Sequence, residues 1–420
     1  MKKKDKRKKT QQLKQEEIHQ KNCYLKRIKA MMGVLGDESA YDCLGPIGVE
    51  YLYSIRLRPI KIISPETPNL KVSKHDLNIM NETLNQLLRG SFVCIGPKKT
   101  QVNLYDYFCL PETIFLYWRN VEKESCSNPE AFKEKFSFFR NDFEAIRHEA
   151  HLKREDCFRL ISWIYTNMGK YIIRLESELS KIDTDSYNLK SFYNNYIVYF
   201  EKPKTELFEI DGHKRTIFQI GTYNGDQFTG ITITSEQLGM NGILKHLPLK
   251  VYIQRHALER IKERIGDYFT GINYIEIMSA VLKYYTFPSD DGGFLFPYTF
   301  RNKRLGYLKA DVIGDRMIIR TFLFLTNNGT PEGKKLANLL RVQKADKKYL
   351  GIDQLSTFID SDIEANENLK RIFCQAGCGE LFELKQIMKK NPTPSIHCAN
   401  YLEYYLGLKG EEEVLTLKCD

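Results

Sequence analysis

The chain has 420 residues, of which 42% are hydrophobic and 28% charged, and its formal net charge is +10 at pH 7. This length and hydrophobic content are sufficient for two or three domains with buried cores. No stretch approaches the roughly 18 uninterrupted apolar residues of a membrane helix, and no apolar segment follows the N-terminal lysines, so we expect a cytoplasmic protein without a secretory signal. The 10 scattered cysteines are typical of reduced thiols and not of a disulfide framework.

The positive charge is concentrated in two segments. Residues 1–30 contain 12 Lys and Arg against 3 Asp and Glu, residues 251–350 contain 17 against 10, and residues 351–420 contain 7 against 12. A basic region beside an acidic one predicts a polyanionic partner, and nucleic acid is favoured over a membrane because no amphipathic apolar face accompanies the lysines. The N-terminal arm, residues 1–35, is compatible with a disordered tail, a helix or a nucleic-acid-binding arm.

The region after the arm, residues 36–190, has a helical pattern. Residues 73–90 begin with Ser73, a plausible helix cap, and end at a glycine, while residues 129–182 carry apolar side chains at three-to-four spacing for more than 40 residues. We therefore predict a helical domain here. It is followed by short runs rich in β-branched and aromatic residues, which predict successive antiparallel strands and a domain boundary near residue 190: NNYIVYFEK, TELFEI, RTIFQIGTYN and FTGITITSEQL.

Two predicted helices and a hairpin complete the second half of the chain. The helices are YIQRHALERIKERIG (residues 252–266) and YIEIMSAVLKYYTF (residues 274–287), and the hairpin turns at Gly314 and Asp315. Residues 191–350 are therefore expected to form an α+β domain with an antiparallel sheet. Residues 351–420 are predicted to be an acidic, helical tail, and the fold class of the whole chain is α+β.

The first of these helices carries His256, Arg260 and Arg264 at a spacing of four. At about 100° per residue, these side chains form a stripe along the border of the apolar face. One interpretation is a solvated face on which arginines pair with glutamates of the same helix, each pair contributing a few tenths of a kcal/mol. The other is a phosphodiester site, because guanidinium groups hold phosphate bidentately and histidine can carry a proton near neutral pH.

The second strand of the hairpin, residues 317–325, is apolar on both faces, which is typical of a central strand. Regular alternation places Met317, Ile319 and Thr321 on one side of it and Arg320 on the other. The Thr321 hydroxyl interrupts an apolar face, so it must find a partner: either a bound phosphate or a neighbouring carbonyl group.

The segment YTFRNKRLGYLK, which precedes the hairpin turn, interleaves aromatic and cationic residues. Aromatic rings can stack on bases while cations contact phosphates, so this segment is a candidate RNA-binding surface. The alternative is a polar loop that leads into a strand. The candidate RNA-binding residues are Arg301, Lys303, Arg304, Tyr307 and Lys309.

The motif HALERIKERIG on a helix, followed by a hairpin that ends in RTFLFLTNNGTPEG, resembles the small metal-independent ribonuclease toxin domains of the barnase, EndoU, colicin and RelE-like group. Members of that group often present a histidine and arginines from an early helix to a sheet that carries a threonine. The resemblance covers roughly residues 245–350, and the strands before residue 245 have no counterpart in the simple domain. It assigns site roles to His256, Arg260, Arg264 and either Thr321 or Thr326.

The resemblance implies RNA cleavage by attack of a ribose 2′-OH on the adjacent phosphate. This reaction needs a proton acceptor, a proton donor and positive charge at the phosphate, but no metal. His256 would then be the acid or base, Arg260 and Arg264 would stabilise the phosphate, and Thr321 would position it. We therefore expect an endoribonuclease, either toxin-like or a defence effector, that uses no metal or cofactor and has RNA and a regulatory or antitoxin-like protein as partners.

The alternative function is a non-catalytic nucleic-acid-binding or adaptor protein that uses the same basic surface. Convergence of His256 and Arg260 with a hairpin side chain in one cleft would favour the enzyme, because a binding surface needs the charges but not the convergence. Other site classes have weaker signals. Cys374 and Cys378 could join His397 and Cys398 in a zinc site, but their spacing is not that of a known zinc module, and no phosphate-binding glycine loop is present.

Overall fold

The computed structural model describes residues 2–66, 72–121, 126–178, 194–240, 246–266, 273–283, 285–340, 344–349, 351–360, 363–365 and 367–390. It confirms the α+β fold class. The first half is mainly helical, with helices α1 (Lys2–Leu35), α2 (Gly45–Ser54), α3 (Lys74–Gly90), α4 (Leu104–Cys109), α5 (Pro111–Asn120), α6 (Pro129–Lys135), α7 (Phe138–Asn141) and α8 (Phe143–Tyr165). Its strands are β1 (Lys61–Ile63), β2 (Phe92–Ile95), β3 (Thr100–Asn103) and β4 (Ile172–Ser177).

Most helices of the first half follow local sequence signals, although the helical pattern predicted for residues 129–182 ends at Tyr165 and is followed by β4. The side chain of Ser73 accepts a hydrogen bond from the backbone N–H of Asp76 and caps α3, as its position in the sequence predicts. The basic arm is part of α1, and the end of α1 is buried in the core at Ile28, Met32 and Leu35. The arm is therefore helical, and its binding to nucleic acid stays a prediction.

The second half contains the larger sheet. The strands and the first helices of this half of the chain are β5 (Asn195–Glu201), β6 (Thr205–Ile210), β7 (His213–Gln219), β8 (Gly221–Asn224), β9 (Gln227–Gly230), β10 (Thr232–Thr234), β11 (Pro248–Gln254), α9 (Arg255–Ile265), α10 (Asn273–Leu282), β12 (Phe287–Pro288), β13 (Phe294–Phe300), β14 (Lys303–Ile313) and β15 (Arg316–Phe324). The C-terminal helices are α11 (Pro331–Leu340), α12 (Lys344–Tyr349), α13 (Leu355–Asp360), α14 (Glu367–Ala376) and α15 (Glu380–Lys390). Short 3-10 helices occupy Glu38–Cys43, Ser235–Leu238 and Ile363–Ala365.

Strand β5 does not belong to the larger sheet. It lies between β1 and β4, parallel to β1 and antiparallel to β4, in a sheet of order β1-β5-β4. The sequence predicted that β5 would begin a series of successive antiparallel strands, and this pairing corrects that prediction. Backbone hydrogen bonds therefore cross the predicted boundary near residue 190, because β5 completes a sheet built from strands of the first half.

The larger sheet has the strand order β12-β13-β14-β15-β11-β7-β6, with β10 also paired to β11. Strands β11 and β15 are parallel and the other neighbours are antiparallel, so the sheet is mixed and not antiparallel throughout as predicted. The parallel pair arises because β12, β13 and β14 lie between β11 and β15 in the chain and each is antiparallel to the next, so that β15 runs in the same direction as β11. The predicted hairpin turn at Gly314 and Asp315 is confirmed, since it separates β14 from β15.

Strand β15 is central, as predicted, but the predicted cover on both faces is incomplete, because Thr321 and Leu323 on the face away from α9 are only partly buried. Met317 and Ile319 join the main core on the face that α9 covers, whereas Ile318 packs with Ile217 and Tyr252 on the other face. The C-terminal helices also pack on the sheet, because Phe358 of α13 contacts the ring of Phe324. Their apolar side chains are thus part of the core. Residues 391–420 lie outside the described part of the chain.

Within the described residues, no helix combines the length and the apolar character needed to cross a bilayer.

Candidate functional site

Helix α9 begins where β11 ends, at Gln254, and lies on the sheet through three buried side chains, Ala257, Ile261 and Ile265. Strand β7 pairs antiparallel with β11, and the pairing stops at Gln254 opposite Ile217. The preceding residues of β7 therefore continue past the end of β11 and lie beside the first turn of α9. This arrangement brings polar residues of β7 to the start of the helix.

A cleft of about 420 Å³ lies at this junction. We call it the His256 cleft. Its lining residues are Lys214, Arg215, Thr216, Gln254, Arg255, His256 and Glu259. The lining thus contains three cationic residues, one carboxylate and one histidine.

The alternation of β7 determines which of its side chains face α9. Phe218 belongs to the main core, and the guanidinium carbon of Arg255 lies 5.3 Å from the centre of its ring. Lys214 and Thr216 share the face of Phe218, because successive strand residues point to opposite faces. Side chains from the sheet and from the first turn of α9 consequently converge in the cleft.

Arg260 lies one turn after His256 and contacts it. The Nε atom of Arg260 is 3.4 Å from Nε2 of His256, and its Nη1 atom donates to Glu263. The pairing of Arg260 with Glu263 is the one expected for a solvated helix face. The Arg260 side chain can therefore orient His256, while part of its charge is neutralised by Glu263.

Arg264 does not lie with His256. Eight residues separate the two along α9, which places them about 12 Å apart along the helix axis. The Arg264 side chain is 11% exposed and donates to the carboxylate of Asp353, whose side chain is 10% exposed. The predicted stripe of three residues is thus divided between two environments.

Neither of the two candidate threonines lines the His256 cleft. The β14–β15 pairing joins Ala310 to Ile319 and Lys309 to Thr321, so that Arg320 is an extra residue in the strand. Adjacent residues of β14 point to opposite faces, and Thr321 therefore lies on the face opposite Ile319 and α9. This bulge corrects the predicted alternation, which placed Ile319 and Thr321 on the same side.

Thr326 is fully buried, and its hydroxyl donates to the carbonyl oxygen of Ile352 at 2.7 Å. The sheet threonine that does lie beside His256 is Thr216. The sequence signal for Thr216 was weak, because the pairing of β7 with β11 joins segments that are distant in the chain. Lys214 was missed for the same reason.

The predicted RNA-binding segment contains a buried network. Tyr307 is completely buried, and its hydroxyl lies 2.9 Å from Oε1 of Glu332 and 2.8 Å from Nη1 of Arg304. Burial, together with the Glu332 carboxylate, raises the pKa of Tyr307. The ring of Tyr307 is therefore not available to stack on bases. The guanidinium carbon of Arg301 lies 5.7 Å from the ring centre of Phe300.

The two lysines of this segment form ion pairs. Lys303 pairs with Glu383 of α15, and Lys309 pairs with Asp291. The hydrogen bond from Lys309, followed by that from Ser289, lowers the pKa of Asp291 to about 2. These ion pairs connect elements of the fold, and both lysines lie in β14 and not in a loop. The RNA-binding role of the segment stays a prediction.

The possible zinc ligands are divided as well. Cys374 is exposed and Cys378 is buried, while His397 and Cys398 lie outside the described residues. In the described part of the chain, no group of three His, Cys, Asp or Glu side chains could hold a metal ion.

No protein-family model, curated protein or solved structure matches the chain. The resemblance to the ribonuclease toxin domains stays a prediction.

Proposed function

We propose that the protein is a metal-independent endoribonuclease whose reacting groups lie in the His256 cleft. The observation that carries the proposal is the convergence of His256 and Glu259 of α9 with Lys214 and Thr216 of β7. This combination offers two groups that can transfer protons and cations that can hold a phosphate. The partner is RNA, and the reaction takes place in the cytoplasm, where the protein is toxin-like or a defence effector.

The reaction would require one proton acceptor for the attacking 2′-OH and one proton donor for the departing 5′-oxygen. His256 and Glu259 are three residues apart on an α-helix, so their side chains are neighbours on one face. Each can accept or donate a proton, and the two can serve on opposite sides of one phosphate. The products would be a 2′,3′-cyclic phosphate and a free 5′-OH.

Positive charge for the pentacoordinate phosphate would come from Lys214 and Arg255. The first turn of α9 adds to it, because N–H groups at a helix N-terminus attract anions and Gln254 makes no side-chain cap hydrogen bond to them. Arg260 would act through its contact with His256. Arg264 and Thr321 have no part in this arrangement, and Thr216 replaces Thr321 as the residue that positions the phosphate.

The test is single-turnover cleavage of single-stranded RNA with EDTA present. We expect His256→Ala and Glu259→Gln each to slow cleavage by about 10²-fold to 10⁴-fold, the range typical of lost general acid–base catalysis. Lys262→Ala is the matched control, because Lys262 is an exposed cation of α9 outside the cleft, and it should change the rate less than twofold. A substrate with 2′-deoxyribose at every position should resist cleavage.

Thermal melts must show that each variant is folded. Cleavage that persists in both cleft variants, or that stops on addition of EDTA, would contradict the proposal. If the wild-type protein binds RNA with an affinity that falls steeply with salt but does not cleave it, the non-catalytic nucleic-acid-binding alternative is correct.

A further inference from the structure

A second cavity, of about 460 Å³, lies at the other end of α9. We call it the Asp353 pocket. Its volume lies within the range of about 300 to 1,000 Å³ that is common for small-molecule sites. The lining residues are Arg264, Asn327, Asn328, Lys344, Lys347, Lys348 and Asp353.

The wall of the pocket is rigid because buried hydrogen bonds hold the loop between β15 and α11. The side chain of Lys347 is buried, and its ammonium group donates to the carbonyl oxygens of Thr326 and Gly333 and to Oδ1 of Asn328 at 2.6–2.8 Å. The Thr330 hydroxyl, also buried, donates to the carbonyl oxygens of the same loop. A preorganised wall of this kind reduces the entropy lost when a ligand binds.

The pocket is strongly cationic. Four cationic side chains face a single carboxylate, which gives the lining a net charge of +3. Lys344, Lys347 and Lys348 are spaced three and four residues apart on α12, where like charges repel. Burial lowers the pKa of Lys347, and an anion in the pocket would favour its charged form. The lining is therefore suited to an anion.

Asp353 adds a second requirement. Asp353 is 7% exposed, and its Oδ2 atom accepts a hydrogen bond from Arg264. Its other carboxylate oxygen, Oδ1, is buried and has no hydrogen-bond partner among the described residues. Leaving a buried, charged oxygen without a hydrogen-bond partner is unfavourable. A ligand that donates an N–H or O–H group to Oδ1 would remove this cost.

We infer that the Asp353 pocket binds a nucleoside monophosphate. The phosphate contacts Lys344 and Lys348, whose exposed side chains are not held by the loop, and a base N–H or ribose hydroxyl donates to Asp353. Inorganic phosphate satisfies only the cations, and a nucleoside satisfies only the carboxylate. The inference does not rest on the chemistry of the His256 cleft.

The test is isothermal titration calorimetry of the full chain at low salt, with AMP, GMP, CMP, UMP, adenosine and inorganic phosphate as probes. At least one mononucleotide should bind ten times more tightly than inorganic phosphate and than adenosine. The Lys344→Ala/Lys348→Ala double variant should lose at least tenfold in affinity for that nucleotide. Lys262→Ala and His256→Ala should bind it as the wild type does, which separates this inference from the proposed ribonuclease.

Asp353→Asn tests the other half of the ligand. It should reduce the preference for the nucleotide over inorganic phosphate by about tenfold, and phosphate alone should bind equally well or better because a negative charge has been removed. If Asp353→Asn is unfolded in thermal melts, the Lys344→Ala/Lys348→Ala variant alone tests the inference, because both lysines are exposed and their replacement should leave the protein folded. Absence of binding by all four mononucleotides at millimolar concentration, or unchanged affinity in the folded double variant, would overturn the inference.

The two sources of the ligand are separated by comparing AMP with 5′-phosphorylated and 5′-hydroxyl forms of one short RNA that begins with adenosine. Phosphorylated RNA that binds more tightly than AMP and than the 5′-hydroxyl RNA would assign the pocket to an RNA end. AMP that binds more tightly than both RNA forms would assign it to a free nucleotide. Equal binding of the two RNA forms, with no binding of AMP, would overturn the inference.

Discussion

The guanidinium group of Arg264, in the last turn of α9, donates to the carboxylate of Asp353, which lies 89 residues further along the chain. Both side chains are about nine-tenths buried. The pair connects the helix that carries His256 to the segment before α13. Arg264, which the sequence placed in the catalytic stripe, therefore stabilises the connection between two parts of the fold.

The burial of this pair predicts different costs for the two arginines of α9. Arg264→Ala should reduce the free energy of unfolding by about 3–5 kcal/mol, because it leaves the Asp353 carboxylate buried and unpaired. Arg260→Ala should cost no more than about 1 kcal/mol, since its partner Glu263 is exposed. Urea denaturation of both variants measures the difference. Equal and small losses would show that the Arg264 pair does not stabilise the fold.

The Arg264→Ala/Asp353→Ala double variant is the control for this prediction. Removing both charges should recover part of the stability lost in Arg264→Ala, because no unpaired charge is then buried.

His151 predicts an acid-dependent loss of stability. Burial, followed by the nearby charges of Arg154 and Arg147, lowers the pKa of His151 from 6.5 to about 4. Between pH 6.5 and pH 4 the unfolded chain binds more protons than the folded protein. The contribution of His151 to the free energy of unfolding is therefore complete above pH 6.5 and decreases as the pH falls towards 4. His151→Phe keeps a ring against Phe108, which His151 contacts edge-on at 5.4 Å, but cannot be protonated.

The free energy of unfolding of His151→Phe should therefore change less between pH 7 and pH 4.5 than that of the wild type. Urea titrations at several pH values measure it. His148→Ala is the control, because His148 is exposed on the same helix, and its stability curve should run parallel to that of the wild type. A curve for His151→Phe that also runs parallel would rule out this account.

Tyr307 separates a structural role from an RNA-binding role. Tyr307→Phe removes a buried hydroxyl that bonds to Glu332 and should cost about 1–2 kcal/mol of stability. Its affinity for single-stranded RNA should stay within twofold of the wild type, because the ring has no exposed surface. Thermal melts and fluorescence anisotropy measure the two effects. Tyr285→Phe, at an exposed tyrosine, should change neither the stability nor the affinity for RNA. Weaker RNA binding by Tyr307→Phe but not by Tyr285→Phe would support the RNA-stacking role that the sequence predicted for Tyr307.

Local patterns in the sequence predicted the features that depend on neighbouring residues. The cap at Ser73, the turn at Gly314 and the apolar face of α9 were all recognised, because turn chemistry and helical periodicity are contained within a few residues. They were sufficient for the α+β class and for a helix that carries His256, but the predicted helix of residues 252–266 began too early, because residues 252–254 belong to β11 and α9 begins at Arg255.

The features that the sequence did not reveal depend on distant contacts. The extra residue Arg320 changes the face of Thr321, and only the pairing of β14 with β15 shows it. Likewise, Thr216 lies beside His256 because β7 pairs with β11, and Asp353 neutralises Arg264 across 89 residues. A bulge and a long-range strand pairing leave no periodic signal in the sequence. The regular alternation assumed for β15 therefore placed Thr321 beside α9, where the structure has Thr216 of β7.

The position of β5 between β1 and β4 has a consequence for synthesis of the chain. The side chain of Asn194, just before β5, donates to the carbonyl oxygen of Arg58 across 136 residues, and the parallel pairing of β1 with β5 cannot form locally. The first half must therefore wait on the ribosome until β5 has emerged before its sheet can close. Until then the edges of β1 and β4 are open to other chains, which makes a nascent chain stalled near residue 190 a candidate for chaperone binding or aggregation.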